Sequence, residues 1–139
     1  MKSFFLVCIF LITQTTIHGN EKICLGFQDC IDKASKTSIH RKKINFYTEA
    51  IDRYANFKSE GRLAKVYLLR AKSIITEASG DTGYRGEIDL KVTHKPEYVK
   101  NQLVKAKLDL KFCEKYLSDF SKEENALYVE LISKVEINQ

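Results

Sequence analysis

Glu97-Tyr98-Val99-Lys100-Asn101-Gln102-Leu103-Val104-Lys105-Ala106-Lys107-Leu108-Asp109-Leu110-Lys111-Phe112-Cys113 places apolar residues at the three- and four-residue spacing of a helix, and does so twice. Leu103, Ala106, Leu110, Cys113 and Leu117 form one stripe, and Val104, Leu108, Phe112 and Tyr116 form a second. One stripe buries a helix against one neighbour. Two stripes predict a helix from about Glu97 to Ser118 that is sandwiched within an array of helices.

The same spacing recurs on either side. Phe27, Cys30, Ile31 and Ala34 predict a short first helix, and Ile44, Tyr47, Ile51 and Tyr54 a second from about Ile39 to Phe57. Leu63, Tyr67, Ala71, Ile74 and Ala78 predict a third, about Arg62 to Ala78, with Gly80 as its stop. A last helix is expected from about Lys122 to Val135, where Glu123 and Glu124 suit the positive end of the helix dipole. The interruption lies at 80–96, which holds Gly80, Gly83, Gly86 and the only proline, Pro96. Ile88, Leu90 and Val92 alternate with polar residues there, but a lone strand has no partner, so the region reads as a loop. The fold class is therefore all-α, with four to five helices.

Ahead of these helices, Met1-Lys2-Ser3 precedes an unbroken apolar run, Phe4 to Ile12, and a polar stretch ends at Gly19. The run is shorter than the roughly 20 apolar residues a bilayer span needs. A basic start, an apolar middle and a polar end with a small residue predict a cleaved signal peptide over 1–19, a single helical domain over 20–139, and export to the periplasm or the extracellular space. No later segment reads as a membrane span. The chain has 23 Lys and Arg against 18 Asp and Glu; losing Lys2 with the signal leaves 22 − 18 = +4. So mild an excess gives no reason to expect a nucleic-acid ligand.

Cys8 lies within the signal, leaving Cys24, Cys30 and Cys113 in an oxidising compartment, an odd number. Residues six apart in one helix sit about 9 Å apart along its axis, beyond disulfide reach. A Cys24–Cys30 bridge therefore requires a helix that starts after Cys24, and Leu25-Gly26 supplies the break. Cys113, on an apolar face, is expected as a core thiol. A Cys-x5-Cys spacing is not a usual zinc pattern, and His40 and His94 show no ligand arrangement, so no metal or cofactor is expected.

Lys65-Val66-Tyr67-Leu68-Leu69-Arg70-Ala71-Lys72 aligns on Lys100-Asn101-Gln102-Leu103-Val104-Lys105-Ala106-Lys107, matching lysine, leucine and the base-Ala-Lys triplet at one offset. That offset is close to the roughly 34-residue period of helix-turn-helix repeats. With Tyr47 and Ala50 in Ile44 to Ile51, Tyr67 and Ala71 in the third helix, and Pro96 ten residues before Ala106, the stretch of about 39–116 resembles the tetratricopeptide repeat family. Tyr47 to Ala71 is longer than that pattern, and 80–95 makes a poor second helix.

The resemblance implies an antiparallel helix-turn-helix array whose groove is lined by first-helix positions. Here these are Lys65, Leu68, Lys72, Ile75 and Thr76, and in the repeat copy Lys100, Leu103, Lys107, Leu110 and Lys111. A groove lined by ammonium groups would favour a carboxylate-rich or phosphorylated ligand. The alternative is that both lysine rows are solvated helix faces. Arg70, on the apolar side between Tyr67 and Ile74, is expected to snorkel or to pair with an acid such as Asp52.

No phosphate loop, nucleophile elbow or metalloprotease motif occurs, so no catalytic residue is assigned. The expected function is a non-enzymatic, exported protein-interaction module of tetratricopeptide-like build, binding a peptide or protein partner through these lysines. A secreted effector, inhibitor or immunity-type protein acting through its basic surface is the alternative.

Overall fold

The computed structural model describes residues 23–54, 59–86 and 90–138. The expected signal peptide, and with it Cys8, lies outside the described residues. The second helix, expected to reach Phe57, ends at Arg53, and the fourth, expected to reach Ser118, ends at Cys113, where a 3-10 segment with non-helical backbone at Tyr116 takes over.

The described residues form helices α1 (Phe27–Lys36), α2 (His40–Arg53), α3 (Glu60–Ala78), α4 (Pro96–Cys113) and α5 (Lys122–Ile137), with a 3-10 segment at Glu114–Asp119. The ends follow from side chains that satisfy backbone groups which the helices cannot. The Ser59 hydroxyl accepts from the Arg62 amide at the start of α3. Pro96 begins α4, where its missing N–H costs nothing. Ser121 and Glu124 make a reciprocal capping box on α5. None of these helices is long and apolar enough to cross a membrane.

Consecutive helices run antiparallel, as their cross-contacts require. Between α2 and α3, Arg41 meets Glu77 and Thr48 meets Arg70. Between α3 and α4, Tyr98 meets Glu77, Asp109 meets Arg70, and the Cys113 thiol donates to the Ala64 carbonyl at 3.2 Å. Helix α1 packs on α2, α2 on α3 and α3 on α4, while α5 lies against both α3 and α4.

The sandwiched helix is accordingly α3, not α4. Ala64, Leu68, Ala71, Ile74 and Ile75 join Leu103, Ala106, Leu110, Leu131 and Val135 in one core cluster. Val66 faces the other way, into a cluster with Cys24, Cys30, Ala34, Tyr47 and Ala50. Full burial of each large aliphatic side chain contributes about 2 kcal/mol. On α4 the first stripe is buried as expected. The second stripe has no full neighbour, since Val104 is 53% exposed and Leu108 64%.

Arg70 is satisfied by a partner other than Asp52. Its Nε and Nη2 donate to the two carboxylate oxygens of Asp109 at 2.8 and 2.7 Å, its Nη1 to Thr48 Oγ1 at 3.2 Å, and its guanidinium lies over the Tyr67 ring. Asp109 is buried. Desolvation pushes its carboxyl up against the lowering effect of Arg70. Burial also works against the Arg70 charge, but the Asp109 bonds and charge outweigh it and raise the guanidinium above its ordinary value.

The loop after α3 is more ordered than its sequence suggests, because the stretch around Leu90 to Val92 does find a partner. Asp81 and Lys91 form an isolated antiparallel bridge, the Val92 amide donates to Gly80 at 2.9 Å, and Thr82 Oγ1 donates to the Leu90 carbonyl. Gly80 has φ of +95°, and a Cβ there would strike the Val92 carbonyl, so the contact requires glycine. Cys24 and Cys30 are paired as a disulfide, with Cα atoms 5.3 Å apart, and α1 begins after Gly26 as the bridge requires. Cys113 is a buried free thiol that desolvation pushes up to about 12.

Asp109→Ala leaves the Arg70 charge facing α4 without a carboxylate, and is expected to cost about 3 kcal/mol in urea unfolding. Replacing both partners, Arg70→Met with Asp109→Leu, is expected to stay within about 1 kcal/mol of the parent. A single variant as stable as the parent would show that the pair does not hold α3 against α4.

Candidate functional site

The lysine row expected on α3 is only partly open. Lys65 Nζ pairs with Glu124 of α5 at 3.0 Å. Lys72 is exposed, but its charge reaches Glu130 of α5. Thr76 is half-buried and donates to the Lys72 carbonyl at 2.8 Å.

Leu68 and Leu103, expected to offer contact area in a groove, are instead core residues at 1% and 6% exposure, in one cluster with Leu131 and Val135 of α5. The physical reason is the C-terminal helix. Helix α5 packs against both α3 and α4 and removes from water the leucines that a groove would have exposed. What remains open at its end is a hollow of about 330 Å³, where Ile75, Thr76, Val99 and Leu103 face Lys134 and Asn138.

The row on α4 is different. Lys100, Lys107 and Lys111 are all exposed, as is Lys105. None of the four has an ion-pair partner among the described residues. The 3.6-residue period places Val104 beside Lys100, Lys107 and Lys111, and Leu108 between them and Lys105. The two lysine rows therefore do not line one concavity: α5 pairs with Lys65 and buries the leucines beside that row, and the α4 row has no ion-pair partner among the described residues.

Beside Leu108 a second hollow, about 320 Å³, opens between α3 and α4. Tyr67 and Phe112 form an aromatic pair in its lining, with ring centroids 4.5 Å apart, and Arg70, Lys105, Leu108 and Asp109 complete it. Sequence reasoning assigned no ligand contact to Lys105, Leu108 or Phe112. The signal was present in the second stripe of α4, which the sequence alone could not distinguish from a stripe covered by another helix.

Sequence reasoning also missed a polar cluster where α2, α3 and α4 meet the loop. Glu77, 4% exposed, accepts from Arg41 Nη2 at 3.0 Å and from the Tyr98 hydroxyl at 2.7 Å, and His94 Nε2 lies 3.0 Å from its backbone carbonyl. Each carboxylate oxygen is thus engaged by a donor, which makes Glu77 a clasp for the loop rather than a free base. No group of three or more His, Cys, Asp or Glu side chains placed to hold a metal occurs among the described residues.

Next to this clasp, His40 packs against Gly83, its amide donates to Thr82 and its Nδ1 is buried without a partner. Burial holds the imidazole below its ordinary value, opposed by Asp81 and reinforced by Lys43, Arg85 and Lys72. The carboxyl of Asp81 itself is held down at about 2, by hydrogen bonds from Arg85 and from the Gly83 amide.

The fold therefore favours neutral His40. As the pH falls through about 6.5, the unfolded chain takes up this proton before the native chain does. The stabilising contribution is present above that pH and lost below it. Urea unfolding from roughly pH 8 down to pH 5 is expected to fall more steeply for the parent than for His40→Gln; equal slopes would remove His40 as the cause. In comparisons with protein-family models, with curated proteins and with solved structures, nothing matches this chain.

Proposed function

We propose that this chain is an exported, non-enzymatic interaction module of tetratricopeptide-like build, which docks an acidic peptide or protein segment on the outer face of α4. The observation that carries this reading is the uncovered stripe of Val104 and Leu108 set among four exposed lysines without carboxylate partners. Isolated exposed apolar residues need no explanation, but a continuation of a helical stripe flanked by several unpaired lysines has the character of an interaction surface.

Other features agree with the reading. The residues at 1–19 have the pattern of a signal peptide, and the Cys24–Cys30 pair fits an oxidising compartment. Successive antiparallel helices, each packed on the next, fit a helix-turn-helix array. Helix α5 buries Leu68 and Leu103 with its own Leu131 and Val135, so the reading takes the uncovered face of α4 as the docking surface.

Exposed ion pairs contribute about 0.2 to 1 kcal/mol each, so three of them change affinity by about threefold to a hundredfold. The apolar stripe adds contact area that salt does not screen. Affinity capture from the exported fraction tests this. The triple reversal Lys100→Glu, Lys107→Glu, Lys111→Glu, or a rise from about 50 to about 500 mM salt, is expected to release partners that the parent retains. Lys72→Glu is expected to retain them. Equal retention by the parent and the triple variant, or greater loss with Lys72→Glu, would refute docking on α4.

A further inference from the structure

The hollow beside Leu108 lies at the edge of the proposed docking face, and its chemistry is two-sided. Tyr67, Phe112 and Leu108 give it apolar walls, and exposed Lys105 places a charge on its lining. Arg70 and Asp109 are also in the lining, but their opposite charges are paired with each other through two hydrogen bonds, and a third Arg70 N–H goes to Thr48. The positive charge left uncommitted in the hollow is therefore that of Lys105.

Its volume, about 320 Å³, stands at the small end of ligand pockets, which run from about 300 to 1,000 Å³. That is room for one large side chain or a small fragment, not for an extended cofactor. Concavity also separates the two anionic surfaces that basic faces meet. A hollow gives an inserted anchor side chain more contact than a flat face can, which favours a protein segment as its occupant.

We infer that this hollow receives a single aromatic or large aliphatic side chain of the acidic partner segment, with an adjacent carboxylate of that segment paired to Lys105. The inference rests on the docking reading for α4 and specifies what the partner must carry: an apolar anchor beside an acidic residue, with further carboxylates placed for Lys100, Lys107 and Lys111. The direction of discrimination follows from charge alone. An apolar anion is attracted to Lys105 and an apolar cation of the same size is repelled, while a small dicarboxylate has nothing to place against Tyr67 and Phe112.

Three small probes test this by NMR titration of the exported chain: 3-phenylpropionate, 2-phenylethylammonium and glutarate. Phenylpropionate is expected to shift signals of Tyr67, Leu108 and Phe112, and to bind about threefold or more tighter than phenylethylammonium. Lys105→Glu is expected to reverse that order, and Leu108→Asn to weaken both aromatic probes; both positions are exposed, so neither change disturbs the core. Equal binding of the aromatic anion and cation, or no response to Lys105→Glu, would overturn the inference.

The two readings fail differently. Glutarate acting on Lys100, Lys107 and Lys111 while phenylpropionate leaves the hollow unmoved would overturn the anchor site and keep the basic face. Phenylpropionate binding as described, together with unchanged partner capture by the triple lysine variant, would uphold the hollow's ligand chemistry and remove the basic face. Phosphatidylglycerol vesicles that bind the chain and are not displaced by phenylpropionate would overturn the inference in favour of a membrane surface.

Discussion

Arg70 sits where α2, α3 and α4 meet, and its guanidinium fixes how those helices lie against one another. Two bonds to Asp109 and one to Thr48 use a planar donor whose directions cannot be traded among rotamers. A central helix with neighbours on several sides has few places for a charge, and this charge is admitted because α4 supplies a buried carboxylate opposite it. The same pair helps line the hollow beside Leu108, so the interaction that sets the helix register also shapes the surface next to it.

Helix α5 decides which surfaces are left for a partner. By packing Leu131 and Val135 into the α3–α4 core and pairing Glu124 with Lys65, it does to α3 what a ligand would have done. The outer face of α4 has no such cover. An array of helices ends somewhere, and its last exposed stripe is either capped by polar residues or kept for another molecule. Here the stripe keeps Val104 and Leu108 at more than half exposure while placing lysines around them, which is the pattern of a surface soluble alone yet able to bury apolar contact area.

Much of the fold was legible because burial imposes a period. All five helices are present where the apolar spacing starts them, although α2 and α4 end short of Phe57 and Ser118, and the Cys24–Cys30 geometry followed from the rise of a helix and the break at Leu25-Gly26. What was not legible depended on contacts between distant segments. Asp109 rather than Asp52 meets Arg70, because local spacing does not say which helix packs opposite. The partner of the Leu90 to Val92 stretch is Gly80 to Thr82, a pairing made possible by glycine's positive φ rather than by a strand pattern. Leu68 and Leu103 were expected in a groove from a match between α3 and α4 in which both served as first helices. In the fold these two helices run antiparallel as direct packing partners, and such helices do not present matched positions to a shared groove. Arg41, His94 and Tyr98 are brought to Glu77 by the packing of α2, α4 and the loop on α3, and no sequence spacing announces that cluster.

The central claim is that the free binding surface is the outer face of α4 and not the face under α5. Site-specific photo-crosslinking tests it most directly, with a benzoylphenylalanine placed at Val104 in one variant and at Lys72 in another, both irradiated in cells that produce the chain. The expected result is a discrete crosslinked species from Val104 and none from Lys72. Crosslinks from Lys72 with none from Val104 would contradict the account, and would put the binding surface on the exposed edge of α3 beside α5.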